Sequence, residues 1–460
     1  MPLGFDAMSH EFVARPYQIE DVSTLMLKRK HGLFHEPGTG KTFISAMYTQ
    51  YLVRYANEKV VWTQPGGIIM KNYRDILFST DLAPEELQVV QGTKAERELQ
   101  MQNPEAKVFL MSAQCWANEY EVIQHYQPTL RHSFHDECHL AFTTHEATRT
   151  LNWYRASRRM ESIVPMTGTV IRGRLDSAYP ILHLLAPMYY GSDRAFKMHH
   201  AWFDECGKVI AWKNHERLKE VLNRVGIFRS FTSVYGQEAK VIQVEKVEMS
   251  PAQAKVYKTL EATALIELED SWVDAGNPAV AAMRARQLLA CPEVFEVKGK
   301  TPKDESLEVH IADHIKSGER LVIFSAITQE QHRIVQMILK LGGTVGHING
   351  TVSNMRRQAI DESFNAGALQ FIVASPATAG IGFNWSFLKT VIFVSLDYTD
   401  DSFIQAYRRG IRGVRDTAML IIVMKYEGTI EDRILEIVDR KSMDHHLVSE
   451  GIQPLNLHLL

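Results

Sequence analysis

A glycine-rich segment near the start of the chain, HEPGTGKT, has the residue types of a phosphate-binding loop. Its candidate phosphate-binding residues are Gly38, Thr39, Gly40, Lys41 and Thr42. The glycines allow a tight turn with N–H groups pointing inward, the lysine reaches terminal phosphates, and the threonine hydroxyl is a Mg²⁺ ligand. A helical pattern over Phe43–Tyr51 would place the phosphates at a helix N-terminus. Because His35 stands where the full motif has glycine, a glycine turn before a surface helix stays open as the alternative.

An acidic pair, Asp136 and Glu137, comes directly after a predicted strand. In a nucleotide site, Asp136 would hold Mg²⁺ directly or through water, and Glu137 would orient and deprotonate an attacking water. Two alternatives compete with this interpretation. One is a zinc site that includes His135, Cys138 and His139, although no matching Cys/His pair follows at finger-like spacing. The other is a solvated acidic turn.

Two further segments carry side chains suited to nucleotide contacts. The segment QAYRRGIR, residues 405–412, places arginines on one face of a predicted helix, which by itself is also typical of a solvated basic face. Near the N-terminus, the Gln18 amide could pair with the N6 and N7 edge of adenine. The same residues also fit a capped helix start, since Pro16 suits a first helical turn.

Length and composition limit the class of protein. The chain has 460 residues, of which 45% are hydrophobic and 23% charged, and this predicts two or three globular domains. Its net charge of −3 gives no global attraction to nucleic acid, so such contacts would need local basic patches. Four cysteines predict a reducing, intracellular compartment rather than a disulfide framework. No secretory signal is visible, and apolar runs such as Met419–Met424 are too short to span a membrane.

The elements that must position these residues form two blocks of alternating strands and helices, a pattern typical of parallel sheets covered on both faces. The region from about Pro187 to Val297 has a mainly helical pattern, interrupted by a turn signal at residues 274–278. We therefore predict an α/β protein with two lobes and a helical middle. The candidate strands are Val60–Thr63, Val108–Met111 and Ile163–Met166, followed in the second block by Leu321–Phe324, Phe371–Ala374, Val391–Val394 and Met419–Met424.

Taken in order, these motifs resemble those of superfamily-two helicases and, within them, the Swi/Snf-like DNA translocases. The resemblance extends from Arg15 to about Gly451. Besides the segments above, it is carried by residues 63–73 (TQPGGIIMKNY), 166–169 (MTGT), 176–192, 195–197, 247–257, 287–292 (QLLACP), 323–325, 349–365 and 375–385 (SPATAGIGFNW).

The resemblance implies two RecA-like lobes that bind ATP and Mg²⁺ between them. The first lobe, with a helical extension from about residue 187, would span residues 1–237, and the second, preceded by a helical segment at 250–297, would span 238–460. Arg409 and Arg412 would reach the γ-phosphate as arginine fingers. The other implied site residues are Gln18, Gly38, Thr39, Gly40, Lys41, Thr42 and Gln405 for ATP, Thr42 and Asp136 for the metal, Glu137 for catalysis, and Thr167, Thr169 and Gly382 for coupling.

Three departures from the family pattern lie next to these residues. Gly413-Val-Arg415 replaces the usual Gly-Gln after the arginine segment, Val170 replaces a proline, and Leu-Ala-Phe follows His139 in place of the common Lys-Asn pair. None removes a group that the hydrolysis step requires.

The resemblance implies an ATP-dependent translocase that moves on double-stranded or branched DNA and grips mainly phosphates. A strand-separating helicase on DNA or RNA is the first alternative, although no accessory wedge is recognisable in the sequence. A nucleic-acid-binding clamp that ATP only regulates is an alternative from another class. The bare core indicates the cytoplasm of a bacterium or of a virus-infected host cell.

Overall fold

The computed structural model describes residues 13–142, 144–171, 174–269, 278–379, 382–398, 400–411 and 415–448. The chain divides into two compact units, built mainly from residues up to Gly236 and from Gln237–Met443. The domain limits given by the sequence remain a prediction, since these units are defined by packing alone. Among the described residues, no helix is both long and apolar enough to cross a bilayer.

Besides its helices, the first unit contains a five-stranded parallel sheet, the strand pair β1–β9 and the strand pair β7–β8. Its strands are β1 (Gly32–His35), β2 (Lys59–Gln64), β3 (Leu87–Val90), β4 (Val108–Ser112), β5 (Leu130–His135), β6 (Ser162–Pro165), β7 (Ala201–Phe203), β8 (Val209–Trp212) and β9 (Gly226–Arg229). Its helices are α1 (Pro16–Lys28), α2 (Lys41–Arg54), α3 (Ile69–Ser79), α4 (Lys94–Met101), α5 (Ala113–Tyr126), α6 (Thr148–Ser157), α7 (Tyr179–Leu185), α8 (Asp193–His200), α9 (His215–Val225) and α10 (Phe231–Tyr235).

The strand order of this sheet is β3-β4-β2-β5-β6, and β1 pairs in parallel with β9. A bridge between Leu33 and Met166 connects β1 to the end of β6. Alternate residues of the central strands enter different apolar clusters: Val108 packs in one and Phe109 in another. Such near-continuous apolar strands are what a sheet covered on both faces requires.

Strand β5 shows how a polar sequence can occupy a central position. It pairs with β2 on one side and β6 on the other, although it contains three polar residues among its last four. The Phe134 ring stacks on Trp62 with centroids 5.5 Å apart. The buried His135 makes one hydrogen bond, a 2.8 Å contact between its Nδ1 and the Thr63 hydroxyl, and its ring packs on Trp153 with centroids 4.3 Å apart. Ring packing and one local hydrogen bond therefore accompany the polar residues of this strand.

The second unit contains a six-stranded parallel sheet in the order β10-β15-β14-β11-β13-β12. Its strands are β10 (Lys240–Val247), β11 (Leu321–Phe324), β12 (Val345–Ile348), β13 (Phe371–Ala374), β14 (Thr390–Phe393) and β15 (Met419–Tyr426). The helices from Pro251 onward are α11 (Pro251–Glu269), α12 (Pro278–Ala290), α13 (Pro302–Ser317), α14 (Thr328–Lys340), α15 (Asn354–Asn365), α16 (Pro376–Ala379), α17 (Asp400–Tyr407) and α18 (Ile430–Val448). The two parallel sheets with their helices are those of a two-lobed α/β protein.

The middle of the chain is less helical than its sequence pattern predicts. Helices α8, α9, α11 and α12 are there, but β7 and β8 form an antiparallel hairpin, β9 belongs to the first unit, and β10 belongs to the second sheet. β10 was missed because it is an edge strand beside β15 that is only partly buried and contains the charged residues Lys240, Glu245 and Lys246. Residues 274–277 of the predicted turn lie outside the described residues.

Candidate nucleotide site and its coupling loops

The phosphate loop connects β1 to α2 and takes a backbone shape that needs glycine. Gly38 and Gly40 have φ values of 90° and 83°, in the left-handed region. A Cβ on Gly40 would also lie 2.5 Å from Nε2 of Gln18, so the loop packs tightly on α1. The buried Thr39 hydroxyl donates to the Glu36 carbonyl at 2.7 Å and holds the turn closed. The predicted loop and the helix after it are therefore both present.

Lys41 is buried at the first position of α2. Its ammonium donates to the His35 carbonyl at 2.7 Å and lies 3.4 Å from the Glu36 carbonyl. Both acceptors belong to the phosphate loop, so the charge is held inside the curve of that loop. A phosphate oxygen would offer this ammonium a charged acceptor in place of neutral carbonyls.

Two tyrosines fix the outside of the loop. The Tyr17 hydroxyl on α1 donates to the Thr39 carbonyl at 2.7 Å, and the Tyr235 hydroxyl on α10 donates to the Gly38 carbonyl at 3.2 Å. The Arg15 guanidinium lies 4.6 Å from the Tyr235 ring centroid. Elements from both ends of the first unit thus meet at the phosphate loop.

Gln18 lies against this loop but also closes the start of α1. Its Oε1 accepts from the Arg15 backbone N–H at 2.8 Å, and Pro16 occupies the first helical turn. This is the capped helix start that the sequence left open as an alternative. Adenine pairing would need both ends of the amide, and that role stays a prediction.

The acidic pair lies where β5 ends, and it is electrostatically connected to the phosphate loop. The Asp136 carboxylate accepts from the Asn72 amide at 2.9 Å. Burial raises the pKa of Asp136, and the neighbouring Glu137 raises it further; the Asn72 hydrogen bond and the positive charges of Lys41 and Lys71 oppose this shift. The positive charge of Lys41 therefore acts on the Asp136 carboxylate and favours its ionised form.

A second chain of contacts leads from the acidic pair to the T-G-T segment. Glu137 has a left-handed backbone (φ 47°), and its carboxylate lies 3.5 Å from Nδ1 of His139. The same ring nitrogen is 2.8 Å from the Thr167 hydroxyl, which also accepts from the Thr169 N–H at 2.9 Å. A Cβ on Gly168 would lie 2.8 Å from Cδ of Pro37. The T-G-T segment thus contacts both the acidic pair and the phosphate loop.

The oxygen groups of this site fit a magnesium ion. Mg²⁺ prefers carboxylate, hydroxyl and phosphate oxygens, and Asp136 and Thr42 supply the first two. The raised pKa of the buried Asp136 indicates a carboxylate that a nearby cation would stabilise. In the described parts of the chain, no group of three or more His, Cys, Asp or Glu is arranged to hold a metal, so the zinc alternative gains no support.

The arginine segment of the second unit differs from the predicted helix. α17 ends at Tyr407, so Gln405 lies on the helix, and residues 408–410, which include Arg409, form a turn. In this turn the Arg409 carbonyl accepts from the Trp385 N–H at 2.8 Å. The expectation of one helical face carrying the arginines is wrong. Arg412 lies outside the described residues.

Three predicted site residues of the second unit lie among the described residues: Gln405, Arg409 and Gly382. Gln405 and Arg409 are both buried, and Gly382 has a φ of 94° that only glycine adopts without strain. Arg408, beside them, pairs with the buried carboxylate of Glu238 at 2.6 Å. Arg415, at the point where the chain departs from the family pattern, donates to the carbonyls of Ser386 at 2.8 Å and Leu388 at 2.6 Å.

Sequence reasoning missed several residues that position this site. They are Tyr17, Asn72, His139 and Tyr235. Tyr17, Asn72 and His139 lie within motifs that the sequence did identify, so their proximity was a usable signal. Tyr235 reaches the site only through the tertiary fold.

Comparison with known proteins agrees with this geometry. A family model described as the SNF2-related domain matches residues 17–293, which is more than half of the chain. The chain belongs to the SNF2-related domain family. A model described as the helicase conserved C-terminal domain matches residues 302–413. The resemblance found in the sequence is confirmed.

Curated relatives match the same region. The chain is 21% identical over 332 residues to chromatin remodeling factor mit1 of Schizosaccharomyces pombe, covering 66% of this chain and 23% of that protein. It is 24% identical over 310 residues to the chromodomain-helicase-DNA-binding protein 3 homolog of Caenorhabditis elegans, covering 62% and 17%. This SNF2-related chain therefore spans only about a fifth of the length of these relatives.

The crystal structure of the Pyrococcus furiosus Hef helicase domain is similar, with a TM-score of 0.55, 15% identity, and coverage of 92% of this chain and 97% of that one. At this identity the likeness concerns the fold alone. It confirms the prediction of an α/β protein with two RecA-like lobes.

Proposed function

We propose that this protein is a DNA-dependent ATPase that uses ATP hydrolysis to translocate on double-stranded or branched DNA. The observation that carries the proposal is that the T-G-T segment lies against both the phosphate loop, where Gly168 meets Pro37, and the acidic pair, where Thr167 contacts His139 beside Glu137. Membership of the SNF2-related family, followed in the chain by the helicase C-terminal match, supports extending this site to a motor.

In this proposal the phosphate loop holds the β- and γ-phosphates. Lys41 exchanges its loop carbonyls for phosphate oxygens, and the N–H groups at the start of α2 add their dipoles. Glu137 accepts a proton from the attacking water, and His139 at 3.5 Å restrains its carboxylate. Thr42 and Asp136 would hold Mg²⁺, which when bound neutralises charge on the phosphates.

The second unit would supply the transition-state cations. By family resemblance, we assign Arg409 and Arg412 as the arginine fingers and Gln405 as a further nucleotide contact. Loss of a finger arginine costs about 10³- to 10⁵-fold in rate in nucleotide hydrolases. We therefore expect Arg412→Ala and Arg409→Ala to retain ATP binding and to lose hydrolysis. Normal turnover in either variant would remove that residue from the assignment.

The DNA partner rests on the family rather than on a contact in this chain. One relative is named a chromodomain-helicase-DNA-binding protein and another a chromatin remodeling factor. A motor that follows the phosphate backbone should bind DNA in a salt-dependent manner with little sequence preference. A reducing compartment, proposed as the cytoplasm of a bacterium or of a virus-infected host cell, agrees with four free cysteines.

Strand displacement separates translocation from unwinding. The protein is given ATP with a triplex whose third strand lies on an intact duplex, and separately with a partial duplex that has single-stranded arms. Triplex displacement without duplex unwinding is the expected result. Unwinding without triplex displacement would favour the strand-separating helicase, and neither activity with intact ATP binding would favour an ATP-regulated clamp.

A further inference from the structure

The hairpin formed by β7 and β8 presents an apolar surface that the nucleotide site does not use. Trp202 is 57% exposed and Ile210 is 65% exposed on this hairpin, and Met198 at the end of α8 is 62% exposed. An exposed tryptophan offers a flat apolar ring and a polar N–H to a ligand. We call Trp202, Ile210 and Met198 the hairpin surface.

One side of the hairpin packs against the rest of the first unit. Ala201 is buried, and Trp212, which pairs with it across the strands, packs against the main apolar cluster of the first unit. His200 Nε2 lies 2.7 Å from the Tyr190 hydroxyl. At the tip, Oδ1 of Asp204 accepts from the Lys208 N–H at 2.8 Å, which closes the turn. The exposed ring of Trp202 therefore belongs to a hairpin that packing and hydrogen bonds hold in place.

A cation already lies against that ring. The Lys213 ammonium is 3.9 Å from the Trp202 ring centroid, a cation–π contact. The residues from Asp193 to Val225 contain seven Lys and Arg and five Asp and Glu, so this segment has a formal charge of +2 while the whole chain has −3. A ligand with a flat π-face and an adjacent negative charge fits such a surface, and a nucleotide has both.

The size of the surface argues for a base rather than a protein. A stable protein interface uses about 20–30 residues on each side, and the hairpin surface offers three large apolar side chains. A single stacked base needs one ring, and stacking is tolerant of sequence. Bases inside a duplex are already stacked on one another, so only an unpaired base can occupy this ring.

We propose that the β7–β8 hairpin binds unpaired bases of branched DNA, with Trp202 as the stacking platform and Lys213 as the partner of the adjoining phosphate. This inference rests on the proposed function, because it names the DNA structure that the motor would prefer.

The test compares affinities for two DNAs of equal length, a fully paired duplex and a fork with single-stranded arms. Trp202→Ala should lower the affinity for the fork by about 5- to 150-fold and thereby remove the preference for the fork. Trp202→Phe keeps a ring and should retain most of the preference. Leu99→Ala, the matched control, removes an exposed apolar side chain of α4, outside the hairpin surface, and should behave as wild type.

A base analogue reports stacking directly. With 2-aminopurine at the first unpaired position of the fork, wild-type protein should quench its fluorescence, and Trp202→Ala should not. Equal quenching and equal fork affinity in Trp202→Ala would overturn the inference and leave the surface to a protein partner. If duplex DNA stimulates the wild-type ATPase but the protein shows no preference for the fork, this inference fails and the proposed function stands. If no DNA stimulates the ATPase, the proposed function fails.

Discussion

Nδ1 of His139 and the hydroxyl of Thr167 lie 2.8 Å apart, and this contact connects the acidic pair to the T-G-T segment. On its other side, His139 lies 3.5 Å from the Glu137 carboxylate. A movement of the T-G-T segment would therefore shift the imidazole that restrains the proposed catalytic base. Such a contact is a physical route by which DNA contacts could control hydrolysis.

We predict that His139→Ala and Thr167→Val each reduce the stimulation of ATPase activity by DNA while ATP binding persists. Because the two side chains act through one contact, the double variant should be no worse than the poorer single variant, with a coupling energy of about 0.5–3 kcal/mol. Phosphate release with and without DNA measures this. The exposed His125→Ala serves as the control, and additive losses would contradict the coupling.

Asn72 should control metal affinity through Asp136. Its amide donates to the Asp136 carboxylate at 2.9 Å and lies 3.3 Å from Oε1 of Gln64, so it fixes the orientation of the proposed metal ligand. Removal of such a supporting hydrogen bond costs about 10- to 100-fold in metal affinity. We expect Asn72→Ala to raise the Mg²⁺ concentration needed for half-maximal ATPase activity by that factor.

The matched control for this prediction is Asn103→Ala, which removes an asparagine whose amide donates to Gln88 at 2.8 Å outside the site. An unchanged Mg²⁺ requirement in Asn72→Ala, or an equal change in Asn103→Ala, would contradict the role assigned to Asn72.

In the first unit the sequence predicted the strands β2, β4 and β6 and the phosphate loop, whereas in the second unit it did not predict the turn after α17. β2 and β4 were found because three consecutive apolar residues in β2 and four in β4 are buried. The phosphate loop was found because glycine at φ 90° and 83° leaves few substitutes. β5 carries His135 in a central position, where its ring bonds to Thr63 and packs on Trp153, and no apolar pattern reveals such contacts.

The end of α17 shows a different limit. The helical pattern continues through residues 405–412, but the chain turns after Tyr407 so that Arg408 reaches Glu238, a residue 170 positions away. Tertiary pairing of buried charges thus overrides local helix propensity. Tyr235 was missed because only the fold brings it to the phosphate loop.

The pairing of Glu238 with Arg408 should be important for the stability of the second unit. Both side chains are buried, and although burial raises the pKa of Glu238, the charges of Arg408 and Lys240 outweigh it and lower the pKa. Removing one member of a buried pair leaves the other charge uncompensated, at a cost of about 3–5 kcal/mol. Urea unfolding of Glu238→Gln should show this loss.

The control is Glu319→Gln, which breaks the more exposed pair of Glu319 with Lys389. Such pairs contribute about 0–1 kcal/mol. Equal stability of the two variants would indicate that the Glu238 pair adds nothing beyond a surface contact.

Buried histidines should make the first unit sensitive to acid. Burial is the main cause that lowers the pKa values of His31, His132 and His200 to about 4. In the unfolded chain these groups bind protons below about pH 6.5, while in the folded chain they stay neutral until about pH 4. Stability should therefore fall as the pH decreases between these values.

Urea unfolding at pH 7 and at pH 5 measures this dependence. The His31→Gln variant should take up about one proton fewer than the wild type when it unfolds at pH 5. Its free energy of unfolding should therefore fall less between pH 7 and pH 5. An unaltered pH dependence in that variant would show that His31 is not held neutral in the folded protein.

The central claim is that one site, built on Lys41, Asp136 and Glu137, hydrolyses ATP in response to DNA. The most direct measurement is the rate of phosphate release from ATP by wild-type protein and by Glu137→Gln, each with and without duplex DNA. We predict strong stimulation of the wild type by DNA and a loss of about 10²- to 10⁴-fold in Glu137→Gln with ATP binding retained. A wild-type rate of phosphate release that does not change when DNA is added, or a rate that is retained in Glu137→Gln, would contradict the account.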